Sequence, residues 1–496
     1  MAQITTSVST KTSGSGLLAD DINNIVSVVN ANVTDVDARS ASITSNQGDH
    51  NSRLTTIESD PPYISVYTLE TLPETATEGT IAFNSTDAFM MVFKDGKWIN
   101  FHTEVPVALS DFIFTISGAD FTLPLISTGT YNFSIDWGDG NSDIITAWDD
   151  AATTHTYSTT GQYSVKISGI ITGWIFGTGS TEVTKFIEIT SIGSLAFEGS
   201  ALNAFRDATN LTSIDNSAPL ETTGVTEFRE MYRGCSSLTQ IPLMDATAGD
   251  NYQWMFHGCT SLTTLPDLDF GAPTNIREMF FVTNVLTTLT NTTVDLSNAT
   301  YFSQLFFDCR ELISIPDVWL NTASATTING MFRGCRALAT LPTPAGNTLN
   351  TAGLTNLSQM FRDCWALDAI PAIDSTSNTT FWRSFQNCKA ITAFPSLDTS
   401  ANANFDNTWT GCTSLTTFPV LDMSAGTIFV NAWNNCALTA QSIENILGAL
   451  VTNGRSNLDT SVAGGTNAGK STWSATANTY YDTLVDTRGW TITYNA

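Results

Sequence analysis

From Ile22 onward the apolar positions fall at alternating steps of four and three: Ile22, Val26, Val29, Val33 and Val36, then Ser40, Ile43, Gln47, His50, Leu54 and Ile57. A two-in-seven seam held for about five heptads predicts a parallel coiled coil, because an ordinary surface helix carries a wider apolar stripe. Val and Ile in both core columns favour three strands, and Ser40, Gln47 and His50 form polar layers that fix register at some cost in stability. Gln47 and His50 are also able to hold an anion or water on the axis. Asp60, Pro61 and Pro62 end the helix. Residues 1–16 ahead of the seam are rich in Ser, Thr and Gly, which predicts a flexible segment free to attach elsewhere.

The period then drops to two. YISVYTL, GTIAFN, AFMMVF and KWINF, separated by turns at NSTD and KDG, predict four short strands within residues 61–105. Alternation continues over 106–180, where YNFSIDWGDGNSD runs into a turn at Gly138, Asp139 and Gly140. THTYSTTGQYSVKISG reads as a strand, a turn at Gly161, and a second strand alternating Tyr163, Val165 and Ile167. Trp137 and Tyr157 are expected in the core. Asp136 and Asp139 are expected to cap the turn, with calcium binding as the lesser alternative, and His155 has no partner evident in sequence.

Eight cysteines follow at near-regular steps, Cys235, Cys259, Cys309, Cys335, Cys364, Cys388, Cys412 and Cys436, with Thr283 and Ala208 in phase where the thiol is missing. Aligned on them, the unit is M-F-x-x-C-x-x-L-x-x-[IL]-P-x-L-D, as in MFHGCTSLTTLPDLD and MFRDCWALDAIPAID. A fixed period in this range predicts a solenoid whose turns bury their apolar faces only against one another. The aromatic, the cysteine and the two aliphatic columns should stack as ladders. The L-x-x-[IL]-P stretch should be a strand of a parallel sheet, ending where Pro242, Pro266, Pro316, Pro342, Pro371, Pro395 and Pro419 lack an amide hydrogen. No two cysteines are closer than 24 residues, which argues against zinc. In-register side chains point side by side, which argues against disulfides. Buried free thiols acting as small hydrophobes are expected.

Beyond the repeats, QSIENILGALVTNG and SATANTYYDTLVDT read as helices and WTITY as a strand, placed to cap the last turn. Gly464, Gly469, Lys470 and Ser471 match the spacing of a phosphate loop, but no buried strand or nucleotide-binding unit is evident around them.

Three resemblances follow from these residues. TLPETATEGTIAFNSTDAFMMVFKDGKWINF resembles a β-meander of bacteriophage tail fibres and other virion appendages, where such a meander follows a trimeric stalk. The W-G-D-G turn, H-T-Y and G-x-Y-x-V resemble a PKD-type sandwich, which implies an immunoglobulin-like spacer or adhesion module. The MFxGCxxLxxLPxLD unit is similar to BspA-type leucine-rich repeats of bacterial surface proteins and some phage proteins, which implies adhesion or ligand capture. The fold expected is therefore multidomain and mainly β. It comprises an attachment segment at 1–16, a trimeric coiled-coil stalk at 17–60, a meander at 61–105, and a PKD/Ig-like sandwich at 106–180. A leucine-rich-repeat solenoid at 185–440 and an α/β cap at 441–496 complete it.

Charge narrows the function. Lys and Arg number 20 against 47 Asp and Glu, a formal net charge of −27, so nucleic acid is not an expected partner. No apolar run is long enough to span a membrane and no secretory signal is evident. Against this acidity Arg310, Arg333, Arg336, Arg362, Arg383 and Lys389 crowd into neighbouring turns together with Trp365 and Trp382. Guanidinium groups bind carboxylate or phosphate bidentately and indoles stack on sugars, so this patch is the candidate contact for an anionic surface glycan. The plainer alternative is that its cations pair with acids in the returns. The resulting expectation is a virion fibre without catalysis or cofactor, trimeric, joined to other virion proteins at its N-terminus and bound to a host glycan or protein. A BspA-like bacterial adhesin is the alternative, and a glycan-cleaving fibre enzyme the third reading.

Overall fold

The computed structural model describes four strands within residues 65–101 and then residues 111–290, 293–342 and 349–496. The heptad positions, Ile22 to Ile57, lie outside the described residues. The chain divides into two compact units, 1–108 and 109–496. In the first, β1 (Ser65–Tyr67), β2 (Ile81–Asn84), β3 (Phe89–Lys94) and β4 (Lys97–Phe101) form one sheet in that order. β1 pairs parallel to β2 and the others pair antiparallel. These are the four strands the alternating pattern predicts.

The second unit opens on a six-stranded sheet built around β8 (Thr154–Ile171). β5 (Phe112–Thr122) pairs with one edge of β8 and β6 (Tyr131–Asp136) with the other. β7 (Ser142–Ile145) continues outward from β6. On the far side β9 (Phe186–Ser191) pairs with β5 and, in parallel, with β10 (Ser213–Ile214), which already belongs to the solenoid. Residues 180–185 thus lead into a strand of the same sheet. Alternation decides the buried face: Phe112, Phe114 and Ile116, Phe133 and Ile135, and Val165 and Ile167 are all at most 2% exposed. Trp174 packs edge-on against Phe112 at 5.1 Å.

The turn expected at Gly161 is not a reversal. β8 runs straight through, pairing Gly161 with Gly118, and the surplus residues before it are taken up as a bulge in the ladder with β5. Tyr163 stacks on Tyr157 at 3.7 Å and donates its hydroxyl to the Thr159 carbonyl, which holds the bulge closed. Trp137 and Tyr157 are buried as expected. Asp136 and Asp139 do cap the Gly138–Asn141 turn, accepting from the amides of Gly138 and Asn141 at 2.9 and 3.0 Å. His155 has a partner that sequence spacing concealed: its Nε2 lies 2.9 Å from Asp139 Oδ2 while the ring stacks on Trp137.

Each solenoid turn is organised by one tight corner around the M-F-x-x-C segment. Phe228, Glu230, Tyr232 and Gly234 donate their amides along the axis to Asn251, Gln253, Met255 and His257, at 2.8–3.1 Å. The intervening Met231, Arg233 and Cys235 close short turns onto Phe228, Glu230 and Tyr232. This alternation requires two left-handed residues per corner, here Glu230 (φ 59°) and Gly234 (φ 75°). The second is the residue before the cysteine, and its column reads Asp207, Gly234, Gly258, Val282, Asp308, Gly334, Asp363, Asn387, Gly411 and Asn435, all at positive φ. Gly, Asn and Asp tolerate that conformation; β-branched Val282 does not tolerate it well. A Cβ at Gly334 would meet Asp308 Oδ1 at 2.2 Å, so Asp308 relies on the glycine in the next turn, whereas Asp363 is met by Asn387, which donates to it at 2.7 Å.

Inside the corner the aromatics from Phe205 through Tyr232, Phe256, Phe280, Phe306, Phe332 and Phe361 to Phe385 stack at 5.5–6.0 Å and within 15° of parallel. Each cysteine is buried and free. It is more than a small hydrophobe, because its thiol donates to the carbonyl of the previous turn's aromatic: Cys259 to Tyr232, Cys335 to Phe306 and Cys388 to Phe361, at 3.0–3.1 Å. A carbonyl with two lone pairs accepts both this thiol and its own turn's amide. Where threonine replaces cysteine, the Thr283 hydroxyl turns back to Phe280 within its own turn.

The parallel sheet expected at L-x-x-[IL]-P is reduced to β10 and the bridges Thr288–Ser314 and Ala393–Thr417, because the proline two residues on ends any pairing there. Continuous pairing moves to the entrance of the corner, where parallel bridges link Ser200, Glu227, Asn251, Asn275, Tyr301 and Thr327, and again Asn356, Thr380, Asn404 and Ile428. The C-terminal elements close the stack. α1 (Ala440–Asn453) and α2 (Ala475–Asp482) pack together, and β11 (Asp459–Val462) pairs in parallel with β12 (Thr491–Tyr494). β11 is a largely buried strand directly before the phosphate-loop match, contrary to expectation. The loop's amides are nonetheless consumed: Gly464 donates to Asn495 Oδ1, Thr466 to Cys436 and Ala468 to Leu438. Lys470 lies on the ring of Tyr481 at 3.6 Å, so the loop is part of the cap.

Candidate recognition face on the solenoid corner

The corner turns one set of columns inward and another outward. The position two residues before the cysteine points out and carries Arg233, His257, Phe281, Phe307, Arg333 and Arg362 in successive turns. It stacks along the axis: His257 on Phe281 at 4.4 Å, Phe281 on Phe307 at 4.3 Å, and the Arg333 guanidinium on Phe307 at 4.5 Å. Burial and the Arg233 charge push His257 below its ordinary pKa, so the middle of the stack is neutral at pH 7. Beyond Arg233, which Glu230 pairs, positive charge in this column resumes at Arg333.

The position after the cysteine forms a parallel column of Arg310, Arg336, Trp365 and Lys389. Trp365 is flanked by cations from the turn before and the turn after, Arg336 at 4.2 Å and Lys389 at 3.9 Å from the ring. The two cations thus occupy the ring that the sequence offers for stacking on a sugar. Trp382 donates its indole N–H to Asp406 at 3.0 Å and carries Arg383 at 4.8 Å. All eight residues singled out in the sequence lie on this corner, across four consecutive turns.

Their counter-charges do not come from the returns. Arg310 pairs with Asp308 at 3.0 Å and Arg362 with Asp363 at 3.2 Å, both acids sitting in the left-handed column before the cysteine. Among the described residues Arg333, Arg336, Arg383 and Lys389 have no carboxylate partner. The Nε atoms of Arg336 and Arg383 are buried with no hydrogen-bond acceptor. Burial and the Arg362 charge together hold Arg333 below the usual guanidinium value.

Sequence reasoning missed Gln359. Its Oε1 accepts from Arg333 at 2.7 Å and from Arg362 at 3.1 Å, so one amide oxygen joins two guanidinium groups of adjacent turns. The signal was available in the column five residues before the cysteine, which contains Glu230, Glu278 and Gln359. Elsewhere, among the described residues, no group of three or more His, Cys, Asp or Glu is arranged to hold a metal.

Parts of the repeat region match known family models. The family described as BspA type leucine rich repeat region matches residues 351–453 in six copies. That stretch is a BspA-type leucine-rich repeat region. The family described as Mycoplasma protein of unknown function, DUF285, matches residues 200–319 and 274–396, the turns that precede and overlap the BspA-type repeats. The chain is also similar to the crystal structure of a leucine-rich repeat protein from Eubacterium ventriosum, at 14% identity, with 54% of this chain and 83% of that one covered and a TM-score of 0.31. No curated protein matches the chain. The cationic face spans the junction of the two matched regions.

Proposed function

We propose that this chain is a non-catalytic adhesin of the BspA type, whose leucine-rich solenoid holds a recognition face at its corner. The observation that carries the reading is the group of four cations without carboxylate partners, on one face of a protein whose formal net charge is −27. An acidic protein that leaves such charges without direct carboxylate partners has a surface complementary to an anionic partner. The BspA-type repeats favour a bacterial surface protein over a virion fibre. The fibre reading keeps one supporting observation, the antiparallel β2–β3–β4 run where the sequence resembles a virion meander, to which β1 adds in parallel.

Two measurements test the proposal. Replacing Arg333 and Arg362 together by Ala should reduce adhesion of the full chain to cells at least tenfold with little change in thermal midpoint; unchanged adhesion would overturn it. Antibody labelling should find the protein on the surface of the producing cell, whereas recovery only with purified phage particles would favour the fibre.

A further inference from the structure

The solenoid builds the same bridge twice. In one corner Glu230 Oε2 joins Arg206 of the turn before, at 2.5 Å, to Arg233 of its own turn, at 2.7 Å. In another, Gln359 Oε1 joins Arg333 of the turn before to Arg362 of its own turn, in the equivalent columns. The geometry is retained and the carboxylate is not. An amide oxygen accepts both hydrogen bonds but neutralises neither guanidinium. Two like charges are therefore held side by side, offset by Asp363 beside Arg362 and, at longer range, by Asp308.

We infer that this face binds a linear polysaccharide bearing sulfate or carboxylate groups, laid along the solenoid axis and read by its charge. The inference rests on the adhesin reading and specifies its ligand. Cations stand in two parallel columns, Arg333 and Arg362 in one and Arg310, Arg336 and Lys389 in the other, one turn apart at a rise of about 4.8 Å except across Trp365, where Arg336 and Lys389 are two turns apart. That is an array for a chain with regularly repeated anions. The faces of Trp365 are occupied by Arg336 and Lys389, and Trp382 carries Arg383. A neutral glycan finds no free platform on Trp365. A single-stranded nucleic acid, which depends on base stacking, lacks one as well. The indole instead holds two cations at a fixed separation.

The test uses the full chain and four probes: dextran sulfate, polygalacturonate, neutral dextran and a single-stranded oligonucleotide. Binding to dextran sulfate or polygalacturonate, weakening steeply with added salt and absent for neutral dextran, is expected. Gln359→Glu restores the missing carboxylate and should act in opposite directions on two readouts. Polyanion affinity should fall about tenfold while the thermal midpoint rises by about 1–3 °C. A misfolded variant cannot produce that pair. Arg336→Gln with Lys389→Gln, which uncovers Trp365, should also lose polyanion binding. The inference is overturned if neutral dextran or the oligonucleotide binds as well as the charged polysaccharides, or if Gln359→Glu binds them like the unaltered chain. If cells are bound and neither charged polysaccharide is, the adhesin reading stands and this ligand class fails. If the polysaccharides bind but Arg333→Ala with Arg362→Ala leaves adhesion intact, the site stands and the assignment of adhesion to this face fails.

Discussion

Val282 occupies the left-handed position that Gly, Asp or Asn fills in the neighbouring corners, with φ at 60°. A β-branched side chain there costs about 1–2 kcal/mol, so Val282→Gly is expected to stabilise the protein by about 1 kcal/mol despite the extra freedom of the unfolded chain. Urea denaturation measures this, and a loss of stability would mean that packing of the Val282 side chain outweighs the strain. The cysteines make a second prediction. Cys335 donates to the Phe306 carbonyl from a fully buried position, so Cys335→Ala removes a hydrogen bond as well as volume and should cost about 1–2 kcal/mol. Burial pushes the thiols up, Cys309 and Cys436 to about 12, so they stay protonated. A thiol reagent at pH 8 should label none of the eight before unfolding and all of them after it.

At the level of elements, the turn between β6 and β7 is tied to β8 by Asp139 and His155. The hydrogen bond from His155 is the main cause that lowers the Asp139 carboxyl from its ordinary 3.8 to about 2. A carboxyl depressed in the folded state stabilises above its unfolded value and loses that contribution as pH falls through its folded value. The difference in unfolding midpoint between the protein and Asp139→Asn should therefore be full above about pH 5 and shrink between pH 4 and 2. A difference constant across that range would show that the carboxylate charge is not what counts. This pair also shows why some elements were legible and others were not. Strands such as β5 and β6 follow directly from alternation, whereas the His155–Asp139 contact joins residues 16 apart through the register of β8. The solenoid's repeat was legible from its period. Its hydrogen-bonding scheme was not, because M-F-x-x-C carries the pairing through left-handed residues and not through an extended run.

For the molecule as a whole, the heptads from Ile22 to Ile57 predict self-association, and light scattering of the full chain should give three times the chain mass. A monomer, or a mass unchanged when Val29 and Val33 are replaced by Asp, would remove the stalk from the account. The sequence by itself determined the period of the solenoid, its stacked core columns, the capping elements and the crowding of cations near Trp365, because each depends on residue type at a fixed spacing. The tertiary structure alone decided what those cations face. Only the stacking of one turn on the next shows Trp365 covered from both sides. Only that stacking shows Gln359 standing where Glu230 stands in an equivalent corner. The bridges from Arg206 to Glu230 and from Arg333 to Gln359 join side chains about 25 residues apart, and a spacing rule carries no information about which of them meets an acid.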